Sequence, residues 1–395
     1  MEKASDSSRS TLKSTLLRSF RRHFGRDPTL VVRAPGRINL IGEHTDYNLG
    51  YVLPAAINRW VMAGFSSRSD GRCTVLARDF GREDSFLIDN IGKHPQELWA
   101  NYVRGVTRAL LEEAGGSGFD AVIAGNVPIG CGLSSSAATE VALAVGLSSL
   151  WNMDLDTPTL ARLCNRVERE FLGILSGIMD QFVSLAGKTG HALFLDCRDL
   201  SFRHISLPLD SCRLGVINPL IPRDLVRSPY NQRVQECRDA VKVIEKIHPS
   251  VRSPRDVTWD ILEESREELG PVLFRRLRHV ISENERTLEA VEHLINGSIS
   301  RFGNLLYASH DSLRRDYEVS RDELDTLVSL CSDTDLCVGA RMVGGGFGGC
   351  VMVLVKGDGW TPFVREISRA YRSRFRITPQ TVPLRVSSGV HAEWI

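Results

Sequence analysis

The sequence predicts a mixed α+β protein built in two parts, and three observations lead to this prediction. The chain has 395 residues, which is enough for two or three domains. In the first half, apolar segments of strand length alternate with helical patterns, and loops rich in Gly and Pro separate them. After about residue 205 the pattern changes to charged helices and one strand beside a glycine run. We therefore expect one domain over 1–205 and a second over 206–395.

The first predicted element is an amphipathic helix close to the N-terminus. Ser and Arg are frequent there, as they are in transit peptides. Apolar side chains nevertheless recur at helical spacing, which favours a short helix packed on the body of the protein. These apolar residues are Leu12, Leu16, Leu17, Phe20 and Phe24.

The other elements of the first half follow from local patterns. A strand over 29–32 is expected to end where Pro35 and Gly36 begin a loop. The later elements are a helix over 99–111, a strand over 121–124, a buried helix over 134–150, an amphipathic helix over 160–171 and a strand over 191–196.

The second half begins with a predicted strand over 214–217. Charged segments over 230–247 and 259–293 predict surface helices, and a strand over 351–355 follows the glycine run. No internal repeat and no long low-complexity linker interrupts this order.

Composition excludes several classes of function. Lys plus Arg number 49 and Asp plus Glu 48, for a net charge of +1, which argues against broad electrostatic binding of nucleic acid or of anionic membrane. Nine scattered cysteines without paired spacing fit a reducing cytoplasm better than a disulfide framework or a zinc site. No apolar run reaches the length of a membrane helix.

The segment 128–137 carries the most informative chemistry. Gly130 and Gly132 allow a tight turn and a close backbone approach to a ligand. Ser134, Ser135 and Ser136 follow at the start of the predicted buried helix, where unpaired N–H groups and the helix dipole attract anions. The alternative is a structural glycine turn with a serine cap. Because loop, serines and helix occur together, we predict a phosphate-binding loop that lacks the Walker lysine.

A second segment, 35–48, gathers Arg37, Glu43, His44 and Asp46 within a few residues. Carboxylates and an imidazole can bind sugar hydroxyls in fixed directions, and Arg suits the charge of a phosphoryl group. The alternatives are a solvated polar loop and, for His44 alone, a structural hydrogen bond. A zinc site is disfavoured because the spacing of metal-binding helices is absent.

Two further segments are candidates. Asp180 lies among apolar and small neighbours in Gly177-Ile178-Met179-Asp180-Gln181, where a partly desolvated carboxylate near a guanidinium could accept a hydroxyl proton. A helix cap is the alternative. The glycine run 344–349 permits positive φ and a close backbone approach, with a hairpin-like turn as the alternative.

These segments resemble the motifs of GHMP sugar kinases over nearly the whole chain. Pro-x-Gly-x-Gly-Leu-Ser-Ser-Ser-Ala resembles the family's second motif, and the glycine run with Cys350 resembles the third. Segment 35–48 resembles the more specific signature of the galactokinases, as do Val52-Leu53-Pro54 and Gly-Ile-Met-Asp-Gln.

The resemblance implies a role for each matching residue. Asp180 would be the catalytic base, and Arg37 would lie near the reacting phosphate. The substrate-binding residues would be Arg37, Glu43, His44, Asp46, Gly177, Asp180 and Tyr230. ATP would contact Trp99, Gly130, Gly132, Leu133, Ser134, Ser135, Ser136 and Ala137, and Mg²⁺ would be held by Ser136 and Glu168.

The implied fold is an N-terminal α/β domain like ribosomal protein S5 and a C-terminal ferredoxin-like domain, with the active site in the cleft between them. The implied activity is transfer of the γ-phosphate of ATP to the anomeric hydroxyl of galactose. We expect a cytoplasmic monomer that binds the sugar and ATP, without nucleic-acid or membrane partners.

The chain departs from the galactokinase pattern at several positions. Ser176 stands where Cys is frequent and Val343 where Thr is frequent. Before Tyr230 the chain has Pro222-Arg223 and Ser228-Pro229, which leaves open whether Arg223 replaces a second cation of the family. These departures concern substrate tolerance more than reaction type. Two alternatives therefore stay open: a kinase for N-acetylgalactosamine or another small alcohol, and a non-catalytic sugar sensor on the same scaffold.

Overall fold

The fold is taken from a computed structural model, which describes residues 2–221 and 229–395 and, at the N-terminus, side chains from residue 9 onward. The helices are α1 (Glu2–Phe24), α2 (Leu98–Ala114), α3 (Ser135–Leu150), α4 (Thr157–Arg166), α5 (Met179–Ala186), α6 (Tyr230–Glu245), α7 (Trp259–Glu264), α8 (Arg266–Ile295), α9 (Ile299–Arg315), α10 (Asp322–Ser332) and α11 (Trp360–Phe375). The strands are β1 (Leu30–Asn39), β2 (Tyr51–Val52), β3 (Pro54–Ser67), β4 (Arg72–Ala77), β5 (Arg82–Leu87), β6 (Phe119–Gly125), β7 (His191–Asp196), β8 (Phe202–Ser206), β9 (Cys212–Asn218), β10 (Cys337–Val343), β11 (Cys350–Lys356), β12 (Gln380–Pro383) and β13 (His391–Trp394).

Three sheets organise the chain. A six-stranded sheet has the order β13-β1-β3-β6-β4-β5, a four-stranded sheet the order β10-β11-β9-β12, and a small sheet the order β2-β7-β8. All neighbouring strands are antiparallel except β4 and β6. Helix α3 packs on β1 and β3, whereas α9 and α10 pack on β10. The architecture is the mixed α+β class that the sequence predicts.

Helix α1 confirms the amphipathic interpretation of the N-terminal segment. Leu12, Leu16 and Phe20 are buried in one apolar cluster with Trp60 and Met62 of β3. Such burial of three large apolar side chains stabilises the fold by several kcal/mol, at roughly 1.5–3 kcal/mol each.

Strand β1 extends further than the sequence predicts, since it runs through Pro35 and Gly36 to Asn39. The register with β3 shifts between Pro35 and Arg37, which is where a bulge can accommodate a residue without an N–H group. Beyond the shift, the N–H of Arg37 donates to Leu133 O at 3.1 Å. The bulge therefore brings β1 against the predicted phosphate loop.

The prediction of a surface helix over 259–293 is wrong for the inner face of α8. There His279, Glu283, Asn284 and Thr287 are buried. His279 and Glu283 bond to the backbone of residues 35–48, the predicted sugar segment. Asn284 accepts from the N–H of Tyr51, and Thr287 donates to the backbone oxygen of Glu283. Because these polar groups are compensated, a charged sequence can face inwards. The helix kinks at Gly270, with φ of 62°, just before Pro271.

Among the described residues, none of the helices combines the length and the apolar character that crossing a membrane requires.

Candidate active site

A cleft of about 320 Å³ brings together all the segments singled out in the sequence. From the third motif, Gly344 and Gly345 line its wall. The predicted residues that line it are Arg37, Glu43, His44, Asp46, Gly130, Gly132, Leu133, Ser134, Ser135, Ser136, Glu168, Gly177, Asp180 and Tyr230. Trp99 and Ala137 do not line it, although Leu98 and Tyr102 next to Trp99 do.

The centre of the cleft is a pair between Arg37 and Asp180. The guanidinium donates from Nε to Oδ1 at 2.6 Å and from Nη2 to Oδ2 at 2.7 Å, a bidentate geometry that orients both groups. Arg37 also donates to Gly132 O, and Ser134 Oγ donates to Asp180. Burial alone would lower the pKa of Arg37, but the negative charges of Asp180 and Glu43 raise it above its ordinary value. Asp180 is thus held beside a permanent cation with part of its surface open to the cleft.

The phosphate loop adopts the backbone that anion binding requires. Gly130 and Gly132 have φ of 77° and 70°, which suits glycine. Ser134 precedes α3 with φ of 56° and makes no side-chain cap bond. Because its hydroxyl contacts Asp180 instead, the alternative of a simple serine cap is wrong. The first turn of α3 therefore presents its N–H groups and its positive dipole end to the cleft.

The sugar segment is fixed by residues from the second half of the chain. Glu43 Oε2 accepts from Arg341 Nη2 at 2.7 Å and from the N–H of Gly344 at 3.2 Å. Glu283 accepts from the N–H groups of Gly42 and Glu43 at 3.0 and 3.1 Å.

His279 supports the same loop from α8. Its Nε2 lies 3.0 Å from Glu43 O and its Nδ1 lies 2.9 Å from Ser312 Oγ. Burial lowers the pKa of His279 to about 4, so the ring is neutral and donates to the carbonyl. Sequence reasoning missed Arg341, Glu283 and His279, because single polar residues in helical or strand patterns form no motif. For Arg341 the signal was its position between Ala340 and Met342, whereas Glu283 lies between two polar residues and gave none.

Asp46 and Gly177 meet at the floor of the cleft. Burial, with the charge of Asp180, raises the pKa of Asp46 to about 7. A Cβ placed on Gly177 would stand 2.1 Å from Cγ and Oδ2 of Asp46. Only glycine therefore lets the segment before α5 approach the sugar segment so closely.

Glu168 lies in a π-helical turn, Val167–Leu172, that continues α4. Its carboxylate accepts from Ser176 Oγ, and burial raises its pKa to about 7. Ser136 and Tyr102 line the cleft beside Glu168. The two predicted metal ligands therefore open onto one part of the cleft.

Tyr230 begins α6, and its ring lies 5.7 Å from that of His44. Pro222, Arg223 and Ser228, which mark the largest departure in the sequence, fall outside the described residues.

Comparison with known proteins agrees with this geometry. Models for the GHMP kinase N-terminal domain, the galactokinase galactose-binding signature and the GHMP kinase C-terminal domain match residues 101–188, 18–67 and 288–362. A galactokinase from Roseiflexus is 43% identical over 373 residues, which cover 94% of this chain and 95% of the relative. A galactokinase from Chloroflexus aggregans is 42% identical over 95% of this chain and 97% of the relative.

Solved structures give the same result. The crystal structure of Lactococcus lactis galactokinase complexed with galactose is 34% identical and superposes with a TM-score of 0.92, over 96% of this chain and 99% of that one. Methanococcus jannaschii mevalonate kinase, at 17% identity and a TM-score of 0.61, shares the fold.

Proposed function

The chain belongs to the galactokinases of the GHMP kinase family, and we propose that its cleft transfers the γ-phosphate of ATP to the anomeric hydroxyl of galactose, giving galactose 1-phosphate and ADP. One observation carries this assignment: the Arg37–Asp180 pair opens on a cleft that the phosphate loop and the sugar segment line together. Phosphoryl transfer depends mainly on positioning and charge stabilisation. A cleft that presents an anion site and a hydroxyl-binding set to one carboxylate meets that need.

In this proposal Asp180 accepts the proton of the sugar hydroxyl that attacks the phosphate. Its bidentate partner Arg37 fixes the direction of the carboxylate. As the hydroxyl attacks, Arg37 also stabilises the charge on the transferring phosphoryl group.

Galactose would be bound by Glu43, His44, Asp46 and Tyr230. The backbone of Gly177, which leaves no room for a Cβ beside Asp46, would also contact the sugar. Glu43 is held from behind by Arg341 and Glu283, so its carboxylate meets the sugar in a fixed direction.

ATP would lie along the phosphate loop. Its phosphates would contact the backbone from Gly130 to Ala137, and its adenine would lie near Trp99. When bound, Mg²⁺ would neutralise phosphate charge in this region. The donors fit this ion, because Mg²⁺ prefers oxygen ligands and takes one or two carboxylates beside substrate phosphates. Ser136 and Glu168 would supply the protein ligands, and no cluster of three His, Cys or acidic side chains occurs in the described chain to form a separate metal cage.

The division into domains over 1–205 and 206–395 stays a proposal. The four-stranded sheet supports it, because all of its strands come after residue 205, whereas β13 returns to pair with β1 in the first sheet. A cytoplasmic location and a monomeric state likewise stay predictions.

The decisive experiment is ADP release by the purified chain with a panel of acceptors: galactose, glucose, N-acetylgalactosamine, talose, mevalonate and homoserine. We expect galactose to be phosphorylated far better than glucose, because a site of directional polar groups strongly penalises a misplaced hydroxyl. Omission of Mg²⁺ should abolish ADP release. Equal efficiency with galactose and glucose would refute the assignment. A preference for N-acetylgalactosamine would instead support the alternative of an N-acetylgalactosamine kinase. ADP release with none of the acceptors would favour a sugar sensor.

A further inference from the structure

We propose that a chain of hydrogen-bonded side chains, Cys237, Tyr317 and Tyr47, places the proton of His44 on Nε2 and thereby makes this ring a hydrogen-bond donor to the sugar. Tyr47 and Tyr317 act here as positioning residues, because neither lines the cleft. The step to the sugar depends on the proposed function. The position of the proton, however, is a property of the chain without any ligand.

The contacts form an unbroken line from α6 to the cleft. Cys237 Sγ lies 3.1 Å from the hydroxyl of Tyr317, which lies 3.0 Å from the hydroxyl of Tyr47. The Tyr47 hydroxyl lies 2.7 Å from Nδ1 of His44. Cys237 and Tyr317 have no exposed surface, and His44 has 3%. Bulk water therefore has little access to these three groups, whereas Tyr47 is partly exposed.

Asn48 lies beside Cys237, at the end of the line that is farthest from the cleft, and it helps to set the direction of the hydrogen bonds. The Asn48 amide nitrogen donates to the backbone oxygen of His44 at 2.8 Å. A carbonyl can only accept, so this contact identifies the amide nitrogen without ambiguity. The same nitrogen donates to Cys237 Sγ at 3.7 Å. Asn48 thus supplies donors at this end of the line.

The Tyr317 hydroxyl has one proton and two neighbours that could accept it. Oxygen is a stronger acceptor than the sulfur of a thiol, so the proton points to Tyr47 and not to Cys237. Burial raises the pKa of Tyr47 and of Tyr317 well above the usual value for tyrosine. Both hydroxyls consequently keep their protons throughout the physiological range.

The proton position on His44 follows from the hydrogen-bond direction at Tyr317. Since Tyr47 accepts from Tyr317, its own proton points to Nδ1 of His44. A neutral imidazole that accepts at Nδ1 carries its proton on Nε2. The ring is also held in place, because its centroid lies 4.8 Å from the ring of Tyr317 and 5.7 Å from the ring of Tyr230.

With the proton on Nε2, the sugar site has a hydrogen-bond donor on one side and acceptors on the other. Glu43 offers carboxylate oxygens, which accept, and His44 offers an N–H group, which donates. A hydroxyl bound between such groups gives its proton to a carboxylate and receives one from His44. The site is then selective for a substrate oxygen with a free lone pair at the position that faces His44.

The direct test is nitrogen NMR of the full chain labelled with ¹⁵N-histidine, first without ligand and then with galactose. Comparison with His44→Gln assigns the His44 signals. We expect Nδ1 to have the shift of an unprotonated ring nitrogen and Nε2 that of a protonated one. A proton on Nδ1 alone, or on both nitrogens at neutral pH, would overturn the proposal.

Two variants test the line itself. Tyr317→Phe and Tyr47→Phe remove one hydroxyl each, and both should produce a mixture of the two His44 tautomers. The matched control is Tyr371→Phe in the same apolar cluster as Tyr317. It removes a buried tyrosine hydroxyl that has no hydrogen-bond partner and should leave the His44 signals unchanged. Unaltered His44 shifts in a folded Tyr47→Phe protein would contradict the proposal.

Kinetics connect the proton to the sugar. Tyr47→Phe should raise KM for galactose roughly 2- to 10-fold, the usual range for one neutral hydrogen bond, while kcat and the KM for ATP change little. An unchanged KM for galactose would refute the role in sugar binding. If the wild type phosphorylates no galactose at all, the proposed function fails, but the NMR result still decides the position of the proton.

Discussion

At the scale of the residue, Asp180 has surroundings that an ordinary helix cap does not need. The first turn of α5 contains the carboxylate, but both of its oxygens are occupied by side chains from elsewhere in the chain: Arg37 on β1 and Ser134 in the phosphate loop. A cap would accept from its own helix. The arrangement instead fixes the carboxylate in one orientation while part of it faces the cleft, as general-base catalysis requires.

The substitution Asp180→Asn isolates the charge of this group, because it keeps the size and some hydrogen bonding. We expect kcat to fall at least about 100-fold, within the usual range for the loss of a general base, with little change in KM for ATP or galactose. A coupled ADP assay measures turnover, calorimetry measures binding, and circular dichroism checks the fold. Asp358→Asn, at a fully exposed carboxylate that pairs with Arg213, is the matched control. Turnover within a few-fold of wild type would leave Asp180 with a structural role alone.

At the scale of the element, two short segments determine the shape of the sugar side. The turn Asp46–Asn48 and the segment before α5 approach so closely that a Cβ on Gly177 would collide with the Asp46 side chain at 2.1 Å. The backbone angles of Gly177 themselves lie outside the left-handed region. Contact, and not backbone strain, is what requires glycine here.

Gly177→Ala should therefore displace Asp46 while leaving the fold intact. We expect catalytic efficiency with galactose to fall at least about tenfold, because displacements near 1 Å can cost up to 100-fold, and KM for ATP to change much less. Steady-state kinetics with each substrate varied in turn measure both effects. Gly92→Ala, whose Cβ would meet nothing within 4 Å, should be neutral. Equal losses toward both substrates would show that the collision disturbs the whole cleft.

The bounds of the helices and strands show how far the sequence could predict the structure. Periodicity located α2, α3, β7 and β11 within a few residues, because their apolar patterns are set by one continuous core. It ended β1 too early, since whether a strand continues past Pro35 depends on its partner β3, which lies distant in the sequence. It also treated α8 as a surface helix, because the backbone groups that compensate Glu283 come from residues 42 and 43.

The site shows the same limit. Short motifs identified the residues that line the cleft, since each of those motifs is local in sequence. The pairing of Glu43 with Arg341 joins residues almost 300 positions apart, and nothing near either residue indicates it. Contacts between distant segments are what a single sequence cannot show.

At the scale of the whole molecule, Arg341 connects the two larger sheets. It belongs to β10 in the four-stranded sheet, and its guanidinium donates to Leu40 O at 2.8 Å and to Asn39 O at 2.7 Å, at the end of β1 in the six-stranded sheet. The third contact is the carboxylate of Glu43. With no exposed surface, this side chain couples the joint between the sheets to the sugar side of the cleft.

Arg341→Lys tests that coupling, because it keeps the positive charge but replaces a planar fork by a flexible amine. One ammonium cannot reproduce three fixed contacts, so buried acceptors lose their donors. We expect the free energy of unfolding to fall by about 1–3 kcal/mol and KM for galactose to rise, since Glu43 is no longer held. Urea unfolding followed by circular dichroism measures the first effect, and steady-state kinetics measure the second.

The control is Arg314→Lys, in an exposed pair with Asp311, which should change the free energy of unfolding by less than about 0.5 kcal/mol. The same guanidinium of Arg341 bonds to the end of β1 and to Glu43. The loss of stability and the rise in KM for galactose should therefore appear together. Lower stability with an unchanged KM would separate the joint from sugar binding and show that Gly344 N–H alone is enough to orient Glu43.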